Sequence, residues 1–416
     1  MGSVSRFEHV YSRFAEAGGN FNRLFLTHGN LNIMERVVAT SRPDKGMGRL
    51  NLEYCWCVDQ ILRMGKQLGI YHMLTLTNQT NFRTGNGGWD VNVYNVKNGG
   101  FLKKPGEYFT DQRAQRVFEH LLRYAVARWG ASTSVFSWDL WNEVSAAEGF
   151  QPATAARWHQ RMARYLRSVD PTKHVIHTNF GHLNSFAEID GLPEMELVST
   201  NIYAVKDIAH ISEVWTKRLI ERFGKPYMLT EYGIGHNMGA AGYAPHDPER
   251  VMVHNGLWSP LLSGSAGTGM AWDWNWLDDD HFYRYIRAVA RAVKSIPFSR
   301  RTWRDVQVQA FEFAHYVRRN GPNLEVRGMQ TDDYILIWLK HPEFNWIYRR
   351  MGMTSDAQPA GRLTLGNVPD GTWSAQWIDT IKARIIRHES MTAKNSILRL
   401  TTLPTARSLV VRLQKN

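Results

Sequence analysis

The chain has 416 residues and a formal net charge of +12, with 43% hydrophobic and 21% charged residues. This composition is typical of a globular protein and excludes a low-complexity chain. No apolar run reaches the ~18 residues that a membrane span needs, so we expect no membrane partner.

The excess of positive charge is concentrated in the last quarter of the chain. More than half of it lies after residue 300, as single residues and pairs such as Arg318-Arg319. The sequence contains no run of basic residues and no recognised nucleic-acid motif, so a solvated surface is favoured over nucleic-acid binding. Attraction to an anionic polysaccharide is a further possibility, and it predicts an activity that falls steeply with salt.

The N-terminal residues lack the apolar core of a signal peptide. A cytoplasmic protein is predicted, or a secreted one if the N-terminus is truncated. Cys55 and Cys57 are too close in sequence to form an ordinary disulfide, and the scattered histidines lack a ligand spacing. We therefore predict no metal and no organic cofactor, and the oligomeric state stays open.

Up to about residue 296, β-like runs alternate with helical stretches, a pattern that predicts parallel strands with crossover helices. The predicted strands are Phe21–Thr27, Ile70–Thr77, Val135–Trp141, His174–Thr178, Leu197–Tyr203, Tyr227–Glu231 and Gly269–Trp274. The predicted helices are Leu52–Leu68, Gln112–Trp129, Ala153–Val169, Ile208–Phe223, Pro248–Leu262 and Tyr283–Lys294. Asp111 and Asp247 precede two of these helices and suit capping positions.

Seven strands are one short of a (β/α)8 TIM barrel. An amphipathic helix over Arg6–Ala17 precedes the strand Phe21–Thr27, and no first strand is evident before that helix. After Pro297, short alternating runs separated by turn signals predict a small antiparallel β-sandwich. The predicted domains are residues 1–300, a catalytic barrel, and residues 301–416, a C-terminal β-sandwich.

Two strands end at a glutamate. Trp138-Asp139-Leu140-Trp141-Asn142-Glu143 and Met228-Leu229-Thr230-Glu231 are apolar runs that stop at a carboxylate. In parallel barrels such strand ends carry catalytic groups, and a retaining glycosidase needs two carboxyls roughly 5 Å apart. An Asn beside the acid/base, as Asn142 is, can hold the substrate 2-hydroxyl.

These two motifs resemble those of the clan A glycoside hydrolases, and most closely family 5 and cellulase-like enzymes with a C-terminal β-domain. The resemblance covers residues from about 6 to 296. It implies that Glu143 is the acid/base and Glu231 the nucleophile.

Three further positions match the same pattern. The resemblance implies that Arg23, near the end of the second strand, approaches the nucleophile and keeps it ionised. It also implies that Tyr203, at the end of the sixth strand, hydrogen-bonds Glu231. The clan has a histidine two residues before that tyrosine, whereas this chain has Asn201.

Aromatic and amide residues near the strand ends are candidate sugar contacts. The resemblance implies a tryptophan platform on the eighth strand, where Trp272 and Trp274 share one face and are equally compatible with a place in the core. The loop from Asn78 to Thr110 is rich in Asn, Gly and aromatics. Within it, Trp89 and Asn78 are predicted to contact sugar, since aromatic faces stack on pyranose rings and amides bond hydroxyls.

The sequence thus predicts a retaining β-glycoside hydrolase that degrades a β-linked oligo- or polysaccharide, with a carbohydrate substrate as its partner. The missing first strand motivates an alternative from another class, a catalytically inactive carbohydrate-binding protein built on an incomplete barrel. The sequence leaves the sugar, the linkage and endo or exo action open.

Overall fold

The computed structural model describes residues 4–28, 31–33, 48–85, 88–235, 246–272, 278–313 and 324–416. The chain divides into two compact units. One comprises Met1–Glu16, Asn20–Ile202 and Leu219–Thr230, and the other Ala17–Gly19, Tyr203–Arg218 and Glu231–Asn416. The predicted domain boundary at residue 300 stays a prediction.

Six strands form a parallel sheet in chain order, apart from a two-strand hairpin that follows the first of them. The strands are β1 Phe21–Phe25, β2 Thr27–His28 and β3 Leu31–Asn32 of the hairpin, β4 Tyr71–Thr75, β5 Val135–Asp139, β6 Val175–Phe180, β7 Leu197–Tyr203 and β8 Tyr227–Gly233. The sheet order is β1-β4-β5-β6-β7-β8. Sequential parallel neighbours joined by helices are the pattern predicted for a (β/α)8 fold.

The last predicted barrel strand is present as a short parallel bridge between Ala271 and Tyr232. The Tyr232 N–H donates to the Met270 carbonyl at 3.0 Å, and the Trp272 N–H donates to the Tyr232 carbonyl at 3.0 Å. The described residues thus contain the seven predicted strands, and among them none precedes β1 in the sheet.

The helices between the strands end close to the predicted positions. They are Val4–Glu16, Leu52–Leu68, Gln112–Trp129, Pro152–Val169, Ala187–Asp190, Ile208–Phe223, Val251–Leu261, Asp280–Val293 and Trp346–Arg350, with 3-10 turns at Gln79–Phe82, Val96–Asn98, Pro105–Phe109, Val144–Ala146 and Phe298–Arg300. Asp111 caps the helix Gln112–Trp129 by accepting from the Arg113 and Ala114 N–H groups. Gly69 closes the helix Leu52–Leu68 at φ 70°, a conformation that favours glycine.

A cluster of aromatic side chains anchors the loops that follow β4 and β5. Trp141 is 0% exposed and stacks on Phe109, with ring centroids 5.1 Å apart and an interplanar angle of 16°. Phe82, Tyr108 and Trp158 surround the same indole ring. This rigid apolar cluster fixes the backbone two residues before Glu143.

The C-terminal strands form two antiparallel sheets. The strands are β9 Arg304–Asp305, β10 Gln307–Phe313, β11 Glu325–Gln330, β12 Tyr334–Lys340, β13 Gly361–Gly366, β14 Gly371–Asp379, β15 Arg384–Ala393, β16 Leu398–Thr401 and β17 Ser408–Lys415. The sheet orders are β10-β13-β16 and β15-β14-β17-β12-β11-β9. Residues of both sheets, such as Leu363 and Trp377, share one buried cluster. The predicted sandwich is confirmed.

Several titratable groups are buried with altered pKa values. Burial lowers the pKa of four histidines, to about 4 for His72, His159 and His177 and about 3 for His254. Burial raises the pKa of Asp190 and of Asp247 to about 6. The native state therefore holds these histidines neutral at pH 6.5, where an unfolded chain protonates half of them.

Among the described residues, no helix is both long and apolar enough to cross a membrane. The same part of the chain contains no group of three or more His, Cys, Asp or Glu side chains arranged to hold a metal ion.

Candidate active site

Glu143 lies four residues beyond the last residue of β5, at the start of the short turn Val144–Ala146. Its backbone has φ 51° and ψ 44°, the left-handed region that side chains with a Cβ rarely adopt. The backbone is held there because Asn142 is hydrogen-bonded to the segment after β4 and Glu143 to β6. The Asn142 N–H donates to the Thr77 carbonyl at 2.9 Å, and the Glu143 N–H donates to Asn179 Oδ1 at 3.2 Å.

Both oxygens of the half-buried Glu143 carboxyl accept hydrogen bonds from neutral amides. Gln79 Nε2 donates to Oε2 at 2.7 Å, and Asn201 Nδ2 donates to Oε1 at 2.9 Å. Where the resembling family has a histidine, an asparagine therefore reaches the acid/base candidate in this chain. The contact is made by a group that does not titrate.

Asn201 is fixed as a donor toward Glu143. Its Oδ1 accepts from Asn179 Nδ2 at 3.0 Å and from Thr230 Oγ1 at 3.1 Å. Asn179 Nδ2 also donates to Thr230 Oγ1 at 2.6 Å. With its oxygen engaged by donors, the Asn201 amide cannot turn over without losing these bonds.

Gly181 allows the Glu143 carboxyl to lie against the chain beyond β6. A Cβ at position 181 would lie 3.3 Å from both the carboxyl carbon and Oε1 of Glu143. This is tighter than most contacts that real Cβ atoms make, so a larger residue at 181 would displace the carboxyl.

Asn142 has one polar atom engaged and one free. Its Nδ2 donates to Gln79 Oε1 at 3.0 Å, whereas its Oδ1 is buried without a hydrogen-bond partner among the described residues. A buried polar oxygen without a partner costs about 1–3 kcal/mol, so a ligand hydroxyl that filled the position would be favoured.

Glu231 is 5% exposed and lies on β8, one residue after the Thr230 that contacts Asn201. Tyr203, the last residue of β7, donates from its hydroxyl to Glu231 Oε2 at 2.6 Å and is 3% exposed. The next residue of β8, Tyr232, donates to the Val253 carbonyl at 2.9 Å. The structure thus contains the predicted Tyr203–Glu231 bond.

Arg23 forms a buried ion pair with Asp139, the residue that ends β5. Its Nε donates to Asp139 Oδ2 at 3.1 Å, one of its terminal nitrogens contacts the same oxygen, and Thr75 Oγ1 donates to that oxygen at 2.8 Å. Arg23 is 7% exposed and Asp139 is 0% exposed. Arg23 is therefore buried, and its role toward Glu231 stays a prediction.

The predicted sugar contacts in the loop after β4 are buried. Asn78 is 1% exposed, caps the turn Gln79–Phe82 and donates to the Thr27 carbonyl at 2.9 Å. Trp89 is 4% exposed and packs near Phe82. Substrate contact by Asn78 and Trp89 stays a prediction that this burial disfavours. Trp272 is half-buried, and Trp274 lies outside the described residues.

Gln79, Asn179 and Gly181 were not among the site residues predicted from the sequence. Gln79 lies four residues beyond the end of β4, next to the predicted Asn78, and Gly181 directly follows the end of β6. A search of every polar residue within four positions of a parallel strand's carboxyl end would have included Gln79.

Comparison with known proteins supports the fold and the resemblance. Residues 95–257 match the model of the glycosyl hydrolases family 2 TIM-barrel domain. The chain is 24% identical over 152 residues to mannan endo-1,4-β-mannosidase F of Aspergillus clavatus, an alignment that covers 31% of this chain and 34% of that enzyme. The matched segment therefore spans about a third of that relative's length.

Solved structures resemble this one over almost its whole length. A glycoside hydrolase family 5 protein of Bacteroides vulgatus has a TM-score of 0.61 and 12% identity, covering 99% of this chain and 86% of its own. A family 30 subfamily 8 xylanase of Clostridium acetobutylicum has a TM-score of 0.54 and 12% identity, covering 100% and 93%. The predicted TIM-barrel fold and the resemblance to clan A glycoside hydrolases are confirmed. Residues 95–257 are thus similar to a glycoside hydrolase TIM-barrel domain.

Proposed function

We propose that this protein is a retaining β-glycoside hydrolase in which Glu231 is the nucleophile and Glu143 the acid/base. The observation that carries the proposal is the setting of the two glutamates. Glu143 follows β5 and Glu231 lies within β8, two strands of one parallel sheet, and the hydrogen bonds described above hold each carboxyl with neutral donors. Carboxyls near the carboxyl ends of parallel strands support catalytic roles in a barrel enzyme.

In the proposed mechanism Glu231 attacks the anomeric carbon while Glu143 protonates the leaving oxygen. Water then attacks the glycosyl-enzyme, and Glu143 takes its proton. Tyr203 orients the attacking carboxylate through its hydroxyl. The free Oδ1 of Asn142 receives the substrate 2-hydroxyl, a bond that strengthens as the oxocarbenium-like transition state forms. No step calls for a cofactor.

We further propose a β-1,4-linked mannan as the first substrate to test. The curated relative is a mannan endo-1,4-β-mannosidase, although the alignment covers only part of each chain. The comparisons lend no support to the alternative of an inactive carbohydrate-binding protein.

A hydrolysis panel tests the proposal. The wild-type protein is incubated with β-mannan, xylan, a β-glucan and aryl β-glycosides, and the anomer released first is identified by proton NMR. A retaining enzyme releases the β-anomer first. Release of the α-anomer would exclude the double displacement, and no hydrolysis of any β-linked substrate would exclude the activity.

Two variants test the assigned roles. Glu231→Ala should abolish turnover, and Glu143→Ala should lower kcat by about 10²- to 10⁴-fold. Glu148→Ala is a matched control, since Glu148 lies five residues on and its carboxyl accepts only from Thr84 among the contacts described. Wild-type rates in both catalytic variants, on every substrate that is turned over, would refute the assignment.

A further inference from the structure

Asn142, Gln79 and Glu143 form a chain of two hydrogen bonds with a free end. Asn142 Nδ2 donates to Gln79 Oε1, and Gln79 Nε2 donates to Glu143 Oε2. The free end is the buried, unpartnered Oδ1 of Asn142. This direction of donation suits an ionised Glu143, because a carboxylate only accepts hydrogen bonds.

A reversed chain serves a protonated Glu143 equally well. If both amides turn over, the Glu143 hydroxyl donates to Gln79 Oε1 and Gln79 Nε2 donates to Asn142 Oδ1. The number of hydrogen bonds is then unchanged, and Asn142 Nδ2 occupies the free position. No described donor holds the Asn142 oxygen in place, so the reversal breaks no hydrogen bond to that oxygen.

Asn201 cannot respond in this way. Two donors, Asn179 and Thr230, engage its oxygen, so its Nδ2 continues to face Glu143 Oε1. Oε1 thus stays an acceptor. When Glu143 is protonated, the proton therefore lies on Oε2, the oxygen that faces Gln79. The two amides at the Glu143 carboxyl therefore have different roles.

We propose that Gln79 relays the protonation state of Glu143 to Asn142. Asn142 then presents its carbonyl oxygen to the substrate when Glu143 is ionised, and its N–H when Glu143 is protonated. Gln79 is a positioning residue in this scheme, since it acts through Asn142 and Glu143. The consequence for substrate, though not the relay itself, rests on the proposed function.

The relay matches the demands of the two half-reactions. Before glycosylation Glu143 holds a proton, and its hydroxyl donates a hydrogen bond to Gln79 Oε1 until that hydroxyl turns to the leaving oxygen. Once the proton has left Oε2, Gln79 stabilises the new carboxylate as a donor, and Asn142 Oδ1 becomes an acceptor for the 2-hydroxyl. No proton is transferred to or from either amide, because each amide group only turns over, so that its oxygen and its nitrogen change places.

Side-chain amide NMR tests the relay without any need for hydrolysis. The ¹⁵N–¹H₂ signals of Gln79 and Asn142, assigned by their loss in Gln79→Met and Asn142→Ser, are followed across a pH titration. We expect both pairs to shift with one common midpoint, and to stay constant in Glu143→Gln, which does not ionise. The groups described against the carboxyl are Gln79, Asn201 and Gly181, and none of them titrates. An Asn142 signal that does not move with that of Gln79 overturns the relay.

Kinetics on two substrates separate a relay from a merely structural contact. On an aryl β-glycoside with its 2-hydroxyl, Gln79→Met should lower kcat/KM by about tenfold, the effect of one good hydrogen bond. On the 2-deoxy analogue the loss should be clearly smaller, since only the direct bond of Gln79 to Glu143 is then missing and no substrate group senses the orientation of Asn142. Equal losses on both substrates would contradict the relay.

Gln115→Met is the matched control. Gln115 is buried in the same unit, donates to the Phe109 carbonyl at 2.8 Å and accepts from Arg161. Gln115→Met should leave kcat/KM unchanged on both substrates. If the proposed function fails, wild-type protein hydrolyses neither substrate while the amide signals still titrate together, so the two failures are distinguishable.

Discussion

Replacing Tyr203 by phenylalanine removes one hydroxyl from the nucleophile candidate and leaves the ring in place. The hydroxyl donates to Glu231 Oε2 at 2.6 Å, with both side chains at most 5% exposed. A hydrogen bond to a charged group in such a site contributes about 1.5–3 kcal/mol. If the bond acts on the attacking carboxylate, kcat/KM should fall by about tenfold to hundredfold. The acidic limb of the pH profile should also move toward neutral pH, because the ionised form has lost a donor.

Tyr227→Phe provides the comparison. Tyr227 is equally buried, and its hydroxyl shares a hydrogen bond with Thr200 Oγ1 at 2.8 Å, a neutral partner. This variant should lose about 1 kcal/mol of stability and keep kcat/KM within about twofold. The assay is kcat/KM on an aryl β-glycoside from pH 4 to 9, with melting temperatures measured for each protein. Equal activity losses in the two variants, or a Tyr203→Phe protein within twofold of wild type at every pH, would refute the reasoning.

Three further predictions concern the surroundings of the two glutamates and the stability of the chain. Gly181→Ala should displace the Glu143 carboxyl by a few tenths of an ångström. This displacement should lower kcat by about threefold to tenfold and leave KM little changed, which steady-state kinetics on the same glycoside would measure. Asp139→Asn should cost about 3–5 kcal/mol in urea unfolding because it removes the carboxylate that the buried Arg23 guanidinium contacts, whereas Asp59→Asn, at a partly exposed pair, should cost about 1 kcal/mol. Between about pH 5.5 and 4.5, the four histidines are protonated in the unfolded chain but neutral in the native state, whereas the two aspartates are protonated in the native state but ionised in the unfolded chain. The native state therefore binds roughly two protons fewer than the unfolded chain, so the free energy of unfolding should fall by about 3 kcal/mol per pH unit as the pH falls. A free energy of unfolding that stays constant over this interval in denaturant titrations would contradict this prediction.

Hydrophobic periodicity predicted the elements that place the site, because strand burial and helix amphipathicity are local properties of the sequence. The helix Gln112–Trp129 and its Asp111 cap are confirmed, and β7 has the predicted bounds. The hydrogen bonds around Glu143 could not be predicted in this way. Gln79 and Asn201 lie far from Glu143 in sequence, and their contacts depend on side-chain geometry that no period encodes.

The loop after β4 shows a second limit of the sequence pattern. Its asparagines and aromatics were interpreted as groups that contact sugar, and the structure places Asn78 and Trp89 in buried positions. A loop without regular structure must satisfy its own backbone groups, and Asn side chains do so by accepting from N–H groups two residues on. An Asn-rich loop is therefore as much a sign of internal bonding as of ligand binding.

The left-handed backbone at Glu143 has a consequence for the evolution of this chain. At φ 51° a residue with a Cβ carries a conformational cost of about 1 kcal/mol or more, and glycine or asparagine relieves it. Selection for acid/base chemistry would keep a glutamate at this costly position. Once that selection is relaxed, drift should favour glycine or asparagine at 143 over alanine or a β-branched residue. The identity of that one residue in related genes would then distinguish lineages that still depend on the reaction from those that have abandoned it.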